Sequence, residues 1–114
     1  MTSDESAVWS ELVTRLGRDQ AMQIAAIRSR TGMGERNIKA AVEGLIVRHG
    51  YKIGSSRGKP AGYFLIETSE ELERTCRTLR NQAMSELVRI AALRGRRYAL
   101  ALLGQMELEL SDGR

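Results

Sequence analysis

The chain has 114 residues, 42% of them hydrophobic and 4% aromatic, with a formal net charge of +4 at neutral pH. That length suits one domain and one appended element, with a core built on Leu, Ile, Val, Ala and Met. No stretch approaches the roughly 20 apolar residues of a membrane span, and the single cysteine, Cys76, excludes an internal disulfide.

The opening residues, Met1 to Glu5, are acidic and hold no apolar run, so a secretory signal is not expected and the cytoplasm is. From Ser3 onward Val8, Leu12, Val13 and Leu16 recur at helical spacing, with acids in the first turn and Gly17 as a stop. Trp9 sits beside this stripe as a packing residue. A second helix is predicted from Asp19 to Thr31-Gly32, carrying Ala21, Ile24, Ala25 and Ile27. A third runs from Gly34 or Glu35 to Gly50, with Ile38, Ala41, Val42, Leu45 and Ile46 on one face and Arg36, Asn37, Lys39, Ala40, Glu43 and Val47 opposite.

After Gly50 the pattern becomes β-favouring. Tyr51-Lys52-Ile53 and Tyr63-Phe64-Leu65-Ile66 flank a stretch of Gly, Ser and the only Pro, which predicts a hairpin with a basic tip. Thr68-Ser69-Glu70-Glu71 then opens a long helix striped by Leu72, Cys76, Leu79, Ala83, Leu87 and Ile90. It is expected to reach about Leu103, bent or broken at Gly95, and residues 105–114 are expected to fray. The predicted organisation is therefore 1–68, a long helix over 69–104, and an acidic tail.

Charge is concentrated in the middle of the chain. Between Arg28 and Lys59 lie eight basic residues (Arg28, Arg30, Arg36, Lys39, Arg48, Lys52, Arg57 and Lys59) against two acids, Glu35 and Glu43. A basic stretch of this kind fits either a polyanion-binding surface or a plain solvated face.

Three short helices followed by a hairpin, with Ile27, Thr31-Gly32-Met33, Ile38, Ala41, Leu45, Gly50 and Gly62-Tyr63-Phe64-Leu65 at their positions, resemble the winged helix-turn-helix family over about residues 5–67. The style is similar to small bacterial or phage regulators and replication accessory proteins. One departure is Arg28, four residues before the turn glycine, where the family often has Ala. The implied fold is mainly α with a small β-hairpin, followed by a long C-terminal helix. The resemblance implies a recognition helix from Gly34 to His49 for the major groove of duplex DNA. Glu35, Arg36, Asn37, Lys39 and Ala40 would stand near base edges, though Lys39 and Arg48 are better placed for phosphates. Arg28, Lys52 and the hairpin residues Ser55, Ser56, Arg57 and Lys59 would complete the surface.

The long helix suggests a homodimer, with Leu72, Cys76, Leu79, Ala83, Leu87 and Ile90 as its interface; folding back on its own domain is the other option. Arg89, Arg94, Arg96 and Arg97 form a second basic cluster. Tyr63 and Phe64 are read as core strand residues, with stacking on single-stranded bases as the alternative. Catalysis and cofactors are not expected. His49 and Cys76 are single representatives of their types, and no Gly-rich phosphate loop precedes a Lys-Ser/Thr pair. His49 is read as a helix-end residue and Cys76 as a core residue. The competing function classes are a protein-interaction adaptor and a sequence-neutral DNA-binding accessory protein.

Overall fold

A computed structural model describes residues 1–113 of the chain, which is mainly helical with one small antiparallel hairpin. Helix α1 spans Ser3–Leu12, α2 Ile24–Thr31, α3 Glu35–Val47, α4 Ser69–Arg94 and α5 Arg96–Gly113. Strands β1 and β2 span Ile53–Ser56 and Gly62–Leu65. The chain forms two compact units, Met1–Thr75 and the residues from Cys76 on; α4 begins in the first and ends in the second.

The first unit is organised by the stripe on α3. Ile38, Ala41, Val42 and Leu45 recur at intervals of three and four, so all four point to one side and are buried there. Val8 and Leu12 of α1, Ile27 of α2, Met22 and Ile53 complete the core, with Trp9, Ile24, Met33, Tyr51, Tyr63 and Leu65 packed around it. Each fully buried Leu or Ile contributes about 1.5–3 kcal/mol of apolar transfer. Trp9 stacks on Tyr51 with ring centroids 4.2 Å apart, which ties α1 to the segment entering the hairpin.

Helix ends follow local chemistry. Thr2 caps α1, one residue before the expected start: its hydroxyl accepts from the Glu5 N–H at 3.0 Å, and its own N–H donates to Glu5 Oε1 at 2.8 Å. Helix α2 ends at Gly32, whose φ of 75° is the left-handed conformation that releases the chain into α3.

Several expected boundaries shift. Helix α1 ends at Leu12 and not at Gly17, so Val13 and Leu16 of the expected stripe lie beyond it and are exposed. Asp19 does not begin α2; it lies in a single 3-10 turn, Arg18–Gln20, and α2 starts at Ile24. The cause is tertiary. Met22 is drawn into an extended bridge with Tyr63, its N–H donating to the Tyr63 carbonyl at 2.8 Å and its carbonyl accepting from Tyr63 at 2.9 Å. Gly17 and Arg15 bond the other end of the strand through Leu65. Strand β2 therefore lies between β1 and the Arg15–Met22 segment. This close approach requires Gly62, because a Cβ there would stand 2.0 Å from the Met22 carbonyl oxygen and φ is 121°.

The hairpin pairs Ile53 with Leu65, Gly54 with Phe64, Ser55 with Tyr63 and Ser56 with Gly62. Tyr51 and Lys52 precede the strand instead of forming it, and Ser55 and Ser56 belong to β1 instead of the loop. Ile53, Tyr63 and Leu65 pack on the helical core, while Phe64 is buried against Gly54, itself covered by Thr75 at the start of α4.

In the second unit the helix does break at Gly95, where φ is 99°. Residues 105–113, expected as part of a frayed tail, are helical in α5, and Arg114 of that tail lies outside the described residues. No helix among the described residues is long and apolar enough to cross a membrane.

Candidate nucleic-acid interface

The burial of Ile38, Ala41, Val42 and Leu45 turns Arg36, Ala40, Glu43 and Val47 to solvent, with Asn37 and Lys39 on the flanks of that strip. All six are exposed. Lys39 forms an i,i+4 ion pair with Glu35 at 3.1 Å, both side chains about half exposed. Such a pair is weak and easily exchanged for a stronger anion. Among the described residues, Arg28, Arg36, Lys52, Arg57 and Lys59 form no ion pair.

Tyr63 of β2 packs against the core that includes Ile38 of α3, within reach of the charges of Lys39 and Glu35. Burial pushes the Tyr63 phenol up; the charge of Lys39 opposes that rise and the charge of Glu35 adds to it. The strand face that carries Tyr63 also carries its cross-strand partner Ser55, which is exposed. Tyr63 is half-buried and Phe64 buried, so neither ring is presented as an open stacking surface.

The hairpin tip places Arg57, Gly58, Lys59 and Pro60 in solvent. Ser56 departs from the expected contact set: it is buried, and its hydroxyl accepts the Gly58 N–H at 3.2 Å, so it shapes the tip from inside. A residue absent from the expected set joins instead. The Arg18 guanidinium reaches the tip, where a Cβ on Gly58 would lie 2.8 Å from its nitrogen. The Arg18 backbone N–H is held at 2.9 Å by Glu71, whose other carboxylate oxygen accepts the Glu67 N–H at 2.8 Å. These backbone donors, Glu67 first, hold the Glu71 carboxyl below its usual range. Glu71 thus fastens α4, the exit from β2 and the Arg18 turn together. Arg18 lies outside the Arg28–Lys59 basic stretch, and no periodic signal marks it.

At the other end of α3 the arrangement is closed. Glu5 is buried at 1% exposure, yet every oxygen has a partner: Thr2 N–H and His49 Nε2 at 2.8 and 3.1 Å on Oε1, and the Arg48 guanidinium on Oε2. Its pKa is lowered to about 2 by the Thr2 backbone donor first, then by Arg48 and His49. Gly44 makes the space, since a Cβ there would lie 2.1 Å from the Glu5 carboxylate. Arg48 is therefore tied to Glu5 while its side chain stays 62% exposed, about 18 Å along the helix axis from Arg36. His49 serves the same carboxylate. Arg30 is likewise occupied, paired with Glu11 of α1.

Of the residues expected at a two-fold interface, Leu72, Cys76, Leu79 and Ala83 are exposed, and Leu87 and Ile90 are half-buried. Cys76 thus departs from the core position expected of it within one chain. No group of three or more His, Cys, Asp or Glu among the described residues could hold a metal ion. Comparison of the chain with protein-family models, with curated proteins and with solved structures finds no match.

Proposed function

We propose that this chain is a DNA-binding protein of the winged helix-turn-helix kind, a transcriptional regulator that occupies a duplex operator as a homodimer. The observation that carries the reading is the juxtaposition at one end of α3. Unpaired Arg36 and exposed Asn37 stand there beside weakly paired Lys39 and the Tyr63 edge of a hairpin whose tip holds Arg57, Lys59 and Arg18. A helix presented by its N-terminal turns fits the major groove, where Arg36 suits guanine and Asn37 suits adenine. The tip residues suit phosphates or a narrow minor groove. Arg28 and Lys52 add unpaired positive charge to the same unit.

The test is binding of fluorescently labelled random duplex and single-stranded DNA, each at low and moderate salt. Duplex binding that weakens with salt, and further in Arg36→Ala and Arg57→Ala, supports the reading. Absence of binding to either form at low salt overturns it.

A second reading rests on Ala40 and on Val47, the latter 74% exposed on the outer strip of α3. That apolar strip suits a protein-interaction adaptor in a replication or phage assembly complex. Retention of a protein partner by a chain that ignores DNA would favour it. A binder with a steep salt dependence and no preference among duplexes would instead be a sequence-neutral accessory protein.

A further inference from the structure

Glu71 is the third residue of α4, where an acid ordinarily closes a capping box on its own helix. Thr68 supplies half of that box, its hydroxyl accepting the Glu71 N–H at 3.1 Å. The Glu71 carboxylate reaches further. One oxygen accepts the Glu67 N–H at 2.8 Å, and the other accepts the Arg18 N–H, 53 residues back along the chain, at 2.9 Å.

The Arg18 turn is anchored without this second bond. The Gly17 N–H donates to the Leu65 carbonyl at 2.8 Å, and the Ala21 N–H to the Arg18 carbonyl at 3.2 Å. What the bond to Glu71 adds is the aim of a side chain. With its backbone held, Arg18 extends its guanidinium to the hairpin tip, where a Cβ on Gly58 would lie 2.8 Å from the Nη2 nitrogen.

The tip therefore gathers Arg18, Arg57 and Lys59, none of them in an ion pair among the described residues. The planar fork of a guanidinium matches phosphate oxygens in bidentate fashion. Arg18 is half-buried, so it has less rotamer freedom left to lose on meeting a phosphate than a fully exposed arginine.

We propose that Glu71 is a positioning residue for duplex DNA: by holding the Arg18 backbone it aims the Arg18 guanidinium over Gly58, and an acid thereby strengthens the binding of a polyanion. The inference rests on the DNA-binding reading above and adds to it a residue whose charge has the wrong sign for direct contact. Charge alone predicts the opposite, because removing Glu71 makes the chain more positive and a polyanion more welcome. The direction of the change decides between the two.

The test is anisotropy titration of labelled random duplex DNA with the full chain and its variants at several salt concentrations, with urea midpoints to establish that each variant is folded. Arg18→Ala should weaken binding and lower the salt slope by about 0.9, the share of one phosphate contact. Glu71→Ala should do the same in spite of its gain in positive charge. Glu70→Ala, which removes the neighbouring acid, should bind as tightly as the wild type or tighter. Adding Glu71→Ala to Arg18→Ala should weaken binding no further. Gly58→Ala approaches the same guanidinium from the other side, since its methyl displaces Arg18 without changing any charge. It too should lower the slope, and it reads the Arg18 position even if Glu71→Ala fails to fold.

Tighter binding by Glu71→Ala or an unchanged salt slope in Gly58→Ala would overturn the inference. So would a further loss in the double variant, which would mark an effect that does not pass through Arg18. A wild type that loses affinity in Arg36→Ala and Arg57→Ala, but not in Arg18→Ala or Glu71→Ala, would leave groove recognition standing and remove the role of Glu71. A wild type that binds no DNA at low salt would overturn both.

Discussion

The Glu5 carboxylate, in the first turn of α1, accepts the Arg48 guanidinium from the far end of α3 while sealed from solvent. A buried carboxylate is tolerable only if its oxygens are partnered, and here Thr2, Arg48 and His49 supply the partners. The pair fixes how α1 crosses α3, and with it the direction in which the exposed start of α3 is presented.

Glu5 makes stability depend on acid. Its pKa is lowered from 4.5 to about 2, so its contribution is complete above about pH 4.5 and is lost as pH falls toward 2. Urea midpoints measured from pH 7 to pH 2.5 should fall within that window. Glu5→Gln should start lower at pH 7 and show a shallower fall. A midpoint as acid-sensitive in Glu5→Gln as in the wild type would assign the effect to other groups. Thr2→Ala, which removes the cap hydroxyl, should cost about 1 kcal/mol.

The helical core predicts a second outcome. Ile38 is fully buried at the centre of the α3 stripe, so Ile38→Ala should destabilise the first unit by about 2–5 kcal/mol in chemical unfolding. Val47→Ala, on the exposed strip, should change stability by about 0.5 kcal/mol or less.

Two glycines should respond with opposite sign. Gly62→Ala places a methyl against the Met22 carbonyl at a left-handed φ, with a backbone cost of about 1–3 kcal/mol before any clash. Gly104→Ala, in the interior of α5 with open space around it, should stabilise that helix by about 0.5–1 kcal/mol. Thermal unfolding followed by circular dichroism distinguishes the two.

Nucleic-acid binding should separate α3 from the hairpin. Arg36→Ala should cost about 1–3 kcal/mol on a selected duplex and relax preference at one base pair. Arg57→Ala should weaken all duplexes alike and lower the salt slope by about 1. Arg30→Ala should change neither, because that side chain is held by Glu11. Anisotropy titrations at several salt concentrations measure all three.

Where periodicity governs, the sequence is readable. The α3 stripe and the break at Gly95 emerge from spacing and backbone preference alone, and both stand in the structure. Tertiary pairing overrides local signals elsewhere. Asp19 resembles a helix start, but Met22 is held extended by Tyr63, so the helix waits until Ile24. Glu5 reads as an ordinary acid in a first turn, and nothing local foretells its burial beneath Arg48. At the candidate site the exposed face of α3 follows directly from its buried face. Arg18 and Ser56 do not, since one enters and the other leaves that surface through contacts across the hairpin.

The placement of β2 has a consequence for solubility. Tyr63 and Leu65 spend their N–H groups on Met22 and Arg15, while Ile66 turns the other way to Lys52 beside the β1 ladder. A strand occupied on both sides offers no template to a passing chain. The exposed margin of the sheet falls to β1, four residues long and containing Gly54 and Ser55, a poor foothold for strand addition. A protein with so little sheet thereby keeps its one apolar strand, Tyr63-Phe64-Leu65, out of reach of intermolecular β-pairing.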